Sequence, residues 1–181
     1  MNITIAGKRL ISTYHHYIMK LKPENFISYP VDGYESRIIT LEDIDILAQG
    51  GFAIANMKPY LTREKEYSTG FLFFEKSSKK PVGYIWLIRR NGNELSYRVR
   101  KTDTVISCVF VFKEYRGRNI ANLMISKVIE TLREEGGTEV ALGVRKANAA
   151  AIRAYEKCGF QITGEKTYSR ILRKTFPYHI I

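Results

Sequence analysis

Between residues 104 and 160 the chain switches repeatedly between two hydrophobic patterns, and this alternation restricts the fold more than any other feature. "TVISCVFVF", Thr104 to Phe112, is apolar and largely β-branched or aromatic, which predicts a strand. Residues 117–135 then place Ile120, Leu123, Met124, Val128, Ile129 and Leu132 at helical spacing, with Gly136 and Gly137 positioned to end the helix. A second strand is predicted over 138–144, a helix over 148–158 and a last strand pair within 160–181. Strand, helix and strand in this order require a βαβ crossover and at least one parallel strand pair.

The first half reads differently. Arg37 to Ile39 predicts a strand, and Thr40 a helix N-cap with Glu42 and Asp43 in the first turn; Gly50 and Gly51 stop that helix. A further helix falls within 53–65. Three strand candidates follow, "GFLFFEK", "KPVGYIWLIRR" and "ELSYRVR", separated by the turn-forming "SSKK" and "RNGN", so an antiparallel meander is the simplest assembly. The expected class is α/β: a mixed, mostly antiparallel central sheet with a βαβ core and flanking helices.

At 181 residues the chain has the length of one domain. Residues 1–35, including "LKPENFISYPVDG", read as an N-terminal extension packed on a domain spanning 36–181. Lys and Arg outnumber Asp and Glu by 29 to 18, a balance that attracts anions such as nucleic acid, anionic lipid or a polyphosphorylated cofactor. The basic residues are spread along the chain, without zinc-finger spacing or an RNA-binding aromatic signature, which argues against nucleic acid. No run reaches the ~20 apolar residues of a membrane span, and the N-terminus lacks a cleavable apolar block; the expected compartment is the cytoplasm. Cys108 and Cys158 read as reduced core thiols, and His15-His16 as surface residues rather than metal ligands. Aromatic residues near the C-terminus permit a homodimer without requiring one.

The turn "YRGRNIANL", Tyr115 to Leu123, joins the strand to the helix, whose start is predicted at or just after Gly117. The first amides of a helix have no partner inside it and carry about half a positive charge from the macrodipole, so an anion is their natural ligand. Gly117 allows close approach to the backbone, Asn119 tolerates unusual dihedrals, and Arg116 and Arg118 add charge suited to a diphosphate. Further on, "NAAAIRAYEKCGF" offers Asn148 as a helix N-cap. Tyr155 lies two turns later, about 10 Å along the same side, so that both could line one cleft.

These two stretches resemble the GNAT superfamily of acyl-CoA-dependent N-acyltransferases. Its signature is arginine or glutamine, two residues, glycine, one residue, then glycine or alanine; Arg116, Asn119 and Ala121 fill the fixed places, with asparagine where glycine is usual. "VRKANAAAIRAYEKCGF" is similar to the family's asparagine, seven-residue step to tyrosine, and "GF". The resemblance implies acetyl-CoA as acyl donor, with a pantetheine arm pairing with backbone around Phe110 and Val111. It implies a pyrophosphate on the amides of Arg116, Gly117, Arg118, Asn119, Ile120 and Ala121, a cofactor contact from Asn148, and the Tyr155 hydroxyl directed at the thioester sulfur. A tyrosine of ordinary pKa, about 10, is protonated at neutral pH and can donate to a departing thiolate of pKa about 8.5.

The pattern departs at Gly143, where many relatives that acylate protein amines carry a glutamate base. Asp103, at the start of the preceding strand, is the nearest acid in sequence. Neutralising a lysine-like amine at pH 7 costs roughly 4 to 5 kcal/mol, whereas an amine of pKa near 7.7 costs only about 1 kcal/mol. The expected acceptor is therefore a primary amine of low pKa, on a small molecule, an amino sugar or a peptide N-terminus. The competing reading is a catalytically silent acyl-CoA-binding module of the same fold.

Overall fold

The computed structural model describes residues 3–5, 8–11, 13–50, 54–89, 104–169 and 174–180. A hairpin of β1 (Ile3–Ile5) and β2 (Lys8–Ile11) precedes β3 (Thr13–Leu21). Then come β4 (Tyr34–Ile38), α1 (Ile44–Gln49), α2 (Ile54–Leu61), β5 (Ser68–Glu75) and β6 (Pro81–Ile88). The second half contributes β7 (Thr104–Val111), α3 (Ile120–Glu134), β8 (Val140–Arg145), α4 (Ala149–Lys157), β9 (Gln161–Ser169) and β10 (Lys174–Ile180). The predicted strand "ELSYRVR", the "RNGN" turn and Asp103 lie outside the described residues.

Among the described residues, eight strands form one sheet in the order β10-β9-β3-β8-β7-β6-β5-β4. Every neighbouring pair is antiparallel except β7 and β8, the pair that the βαβ alternation requires. The central strands are covered on both faces, which is why "FLFF" and "YIWLI" read as continuous apolar runs rather than as alternation. On one face Ile120, Met124, Ile125, Val128, Ile129 and Leu132 of α3 pack with Val82, Ile85, Leu87, Leu142 and, from α4, Tyr155. On the other, Leu47 and Tyr60 from the α1 and α2 side cover Leu72, Tyr84, Trp86 and Ile88. No helix among the described residues is long and apolar enough to cross a membrane.

Residues 13–21 sit inside this sheet, between β8 and β9. Met19 and Leu21 point to the α3 face and are buried. The chain then crosses the outside of α3 and α4 before starting β4 at the opposite edge. Asn122, a buried polar residue of α3, holds this strap: its side-chain oxygen accepts from the Tyr29 amide at 3.0 Å and its nitrogen donates to the Ile27 carbonyl at 3.2 Å. The Ile27 amide in turn donates to the Cys158 carbonyl at 3.1 Å. Cys108 and Cys158 are both free thiols, Cys158 fully buried.

Candidate active site

β7 and β8 pair only from Thr104–Val140 to Ile106–Leu142, although β7 continues to Val111 and β8 to Arg145. Beyond that point the two strands part, and backbone groups that a ladder would satisfy are left for another partner. β7 is also bulged here: Phe110 pairs with Tyr84 and Ser107 with Trp86, so Cys108 and Val109 together oppose Ile85, and Cys108 takes a φ of 51°. The Phe112 amide donates to Val82 on β6 at 3.0 Å. Since successive residues of a strand turn their backbone groups to opposite neighbours, Phe110 also turns to β6, and Val109 and Val111 face the opening. The Phe110 ring stacks on Tyr84 at 5.2 Å.

At the end of β7, a tight helical turn over Lys113–Tyr115 delays the start of α3. The helix therefore begins at Ile120 rather than at Gly117, with Asn119 as its N-cap at φ 58° and ψ 17°, the left-handed conformation that asparagine accepts and that stands where relatives use glycine. Gly117 is left-handed too, at φ 80°. The Asn119 side chain makes no capping bond, and the first intrahelical bond runs from the Leu123 amide to the Asn119 carbonyl at 3.2 Å. The amides of Ile120, Ala121 and Asn122 thus precede the helical ladder, as an anion site requires.

Both arginines of the turn rest on aromatic rings, a feature missed in the sequence. Arg116 lies over Phe110 at 5.9 Å and donates from Nε to the Val111 carbonyl at 3.1 Å; Arg118 lies over Tyr115 at 5.3 Å. Cation–π contacts fix the charges at the mouth of the opening while leaving the remaining guanidinium donors exposed. A ligand arm that reaches Val111 would have to displace Arg116 Nε.

α4 begins as predicted: Asn148 caps it by accepting the Ala151 amide on its side-chain oxygen at 3.2 Å. Tyr155 is 8% exposed and meets Phe160 edge-on at 6.0 Å. Its hydroxyl makes no hydrogen bond among the described residues. Burial, reinforced by the neighbouring Cys158, pushes the Tyr155 pKa well above the ordinary phenol value, so the hydroxyl holds its proton throughout the physiological range. A groove of about 220 Å³ runs between the start of α3 and α4, lined by Tyr29, Asn119, Ala121, Asn122, Arg153 and Lys157 among others. Sequence patterns missed Tyr29 here because the strap brings it from far away. Gly143 lies on β8 opposite Ile18 of β3. Because Val140, Leu142 and Val144 pack toward α3, Gly143 lies on the α1/α2 face of the sheet and brings no side chain to it.

The site thus combines a mixed sheet with one splayed parallel pair, a left-handed turn into a helix and a tyrosine on the next helix. Residues 41–160 match the acetyltransferase (GNAT) family. The chain belongs to that family. It is 33% identical over 87 residues to an uncharacterised N-acetyltransferase of Mycobacterium tuberculosis, covering 48% of this chain and 50% of that protein. It is 28% identical over 141 residues to an uncharacterised N-acetyltransferase of Methanocaldococcus jannaschii, covering 71% of this chain and 61% of that protein. The chain thus spans between 50% and 61% of the length of these relatives. Among solved structures, a GCN5-related N-acetyltransferase from Sphaerobacter thermophilus superposes with a TM-score of 0.64 at 18% identity, covering 84% of this chain and 50% of that one.

Proposed function

We propose that this chain is an acetyl-CoA-dependent N-acetyltransferase acting on a primary amine of low pKa by direct attack within a ternary complex. The observation that carries this reading is the opening between β7 and β8, which ends at a helix N-terminus flanked by two ring-supported arginines. Backbone groups of Val109 and Val111 face the opening and suit the amides of a pantetheine arm. The amides at the start of α3, with Arg116 and Arg118, suit a diphosphate. Asn148 and Tyr155 share the adjoining helix.

In the reaction the neutral amine nitrogen attacks the thioester carbonyl carbon, forming a C–N bond as the C–S bond breaks. The Tyr155 hydroxyl gives its proton to the departing thiolate, the new amide nitrogen releases its surplus proton to water, and the tyrosinate is reprotonated from solvent. The raised Tyr155 pKa keeps the hydroxyl in the protonated form that can donate and leaves no tyrosinate at neutral pH to act as a base. With glycine at 143, no carboxylate from that position pulls a proton from an ammonium, which favours acceptors already neutral near pH 7. The test is thiol release from acetyl-CoA with a panel of amines: peptide α-amines are expected to outpace a lysine ε-amine of equal size at pH 7 by at least tenfold, and a lysine side chain as best acceptor would overturn the assignment.

A further inference from the structure

We propose that the cavity on the α1/α2 face is the acceptor site, and that it takes an α-amine carrying an apolar side group and a neighbouring carbonyl, as in an amino amide or peptide with an aliphatic or aromatic first residue. The inference rests on the acetyl-transfer reading above.

The cavity has a volume of about 570 Å³, within the roughly 300–1,000 Å³ of small-molecule sites. Its walls are Ile38, Ile39 and Leu41 at the β4–α1 corner and Tyr60 and Leu61 on α2, with Trp86 beneath. Four large apolar side chains are conspicuously exposed among the described residues, and two of them, Ile38 at 61% and Leu41 at 49%, stand at this cavity. Exposed aliphatic groups beside a concavity suit an apolar guest better than they suit water.

The floor carries a second, independent signal. Trp86 is only 1% exposed, yet its indole N–H has no hydrogen-bond partner among the described residues. A buried donor left without an acceptor costs about 1–3 kcal/mol, which a ligand oxygen would recover. The indole edge next to that nitrogen faces Gly70, also part of the cavity lining: a Cβ at position 70 would stand 2.9 Å from Trp86 Cζ2 and Cη2 and 2.8 Å from Ile39 Cδ1. Two neighbouring hydroxyls of the lining are committed. The Ser68 hydroxyl donates to the Tyr60 and Glu64 carbonyls at 2.8 and 2.9 Å, and Thr69 Oγ1 accepts from Arg89 at 2.7 Å. Glu42 and Lys65 bring opposite charges to the lining, so charge does not select the guest. Apolar walls around an unpaired donor do: they call for an apolar group beside a carbonyl.

The strand register connects this floor to the place where β7 and β8 part. Gly70 pairs with Trp86, and Trp86 with Ser107. One step beyond the last β7–β8 pair, Ile106–Leu142, the same row reaches Gly143, which pairs with Ile18. Across this face, then, a serine and a glycine lie between Trp86 and Ile18. In the proposed seat the guest's side chain lies over Trp86 and its amine extends along this row toward the opening, where Gly143 presents no side chain.

Trp86 is the chain's one tryptophan, so its emission reports on this cavity. Leucinamide and phenylalaninamide, titrated into the full chain without acetyl-CoA, should change that emission saturably, whereas glucosamine and Nα-acetyl-lysine should not. With acetyl-CoA present, the two amides should exceed both controls at least tenfold in kcat/KM. Leu41→Ser and Ile38→Ser, at exposed positions that leave the core intact, should raise KM for the amides severalfold and leave KM for acetyl-CoA unchanged. Thiol release with unchanged Trp86 emission at saturating acceptor, or equal kcat/KM for glucosamine, would overturn the cavity assignment while leaving the transferase reading in place. Saturable emission changes without thiol release for any amine would instead remove the acceptor role together with the transferase reading.

Discussion

Gly117 offers a way to separate backbone conformation from ligand contact, because a second glycine in the chain matches it. Gly117 sits at φ 80° and Gly33 at φ 86°, and a Cβ at either position would meet no atom within 4 Å. Alanine at each therefore suffers the left-handed strain and nothing else. That strain costs an L-residue about 1–2 kcal/mol, offset by about 0.4–1 kcal/mol from the smaller entropy of the unfolded alanine chain. Each variant should lose about 1 kcal/mol, a fall in Tm of about 2–4 °C for a chain this long. Their binding should differ. Gly117 lies in the turn that leads into α3, whereas Gly33 lies before β4, where its carbonyl accepts the Lys76 amide at 2.8 Å. Isothermal titration with acetyl-CoA should give a Kd raised several-fold or more for Gly117→Ala and unchanged for Gly33→Ala. Equal Kd values for the two variants, with equal losses of stability, would refute the assignment of this turn to the phosphates.

Three further outcomes follow from the same geometry. Because burial raises the Tyr155 pKa above the ordinary phenol value, kcat/KM measured with a peptide amine should rise through the amine's own pKa, near 7.7–8.0, and stay level to pH 10, with no loss from tyrosine ionisation. Arg37 donates to both carboxylate oxygens of Asp43, at 2.7 and 2.6 Å, and the Thr40 amide donates to the same group at 2.8 Å; together they hold Asp43 below the usual carboxylate range. A lowered folded-state pKa contributes stability that is present above the unfolded value of about 3.9 and lost as pH falls through the folded one, so denaturant melts should show the stability contributed by Asp43 fading only below about pH 4. Asp43→Asn should cost about 1.5–3 kcal/mol at pH 7, the range for hydrogen bonds to charged groups, read from the urea midpoint.

The features legible in the sequence were those with a local cause. The alternation over 104–160 named the parallel pair, Thr40 caps the tight turn Leu41–Asp43 that leads into α1, Asn148 caps α4, and asparagine at 119 pointed to a positive φ that the structure contains. α3 starts three residues later than the sequence predicts, because nothing in "KEYRGR" distinguishes a short tight turn from the first turn of an α-helix. The position of β3 could not be read at all. Tyr17, Met19 and Leu21 alternate as a strand should, but which strands they join depends on contacts more than a hundred residues away, with β8 and β9. The same holds for Arg116 on Phe110, Tyr29 beside Asn119, and the cavity over Trp86: each is assembled from distant segments whose local patterns only say apolar or basic.

The proposed role of Tyr155 as proton donor of an acetyl transfer is decided by comparing wild type with Tyr155→Phe. The measurement is thiol release from acetyl-CoA at saturating leucinamide, with acetyl-CoA affinity determined separately by titration. Removing the hydroxyl while keeping the buried ring should lower kcat by roughly 10²- to 10⁴-fold, the range for a positioned general acid, and leave the acetyl-CoA Kd unchanged. A Tyr155→Phe variant that keeps wild-type kcat would exclude Tyr155 as the proton donor.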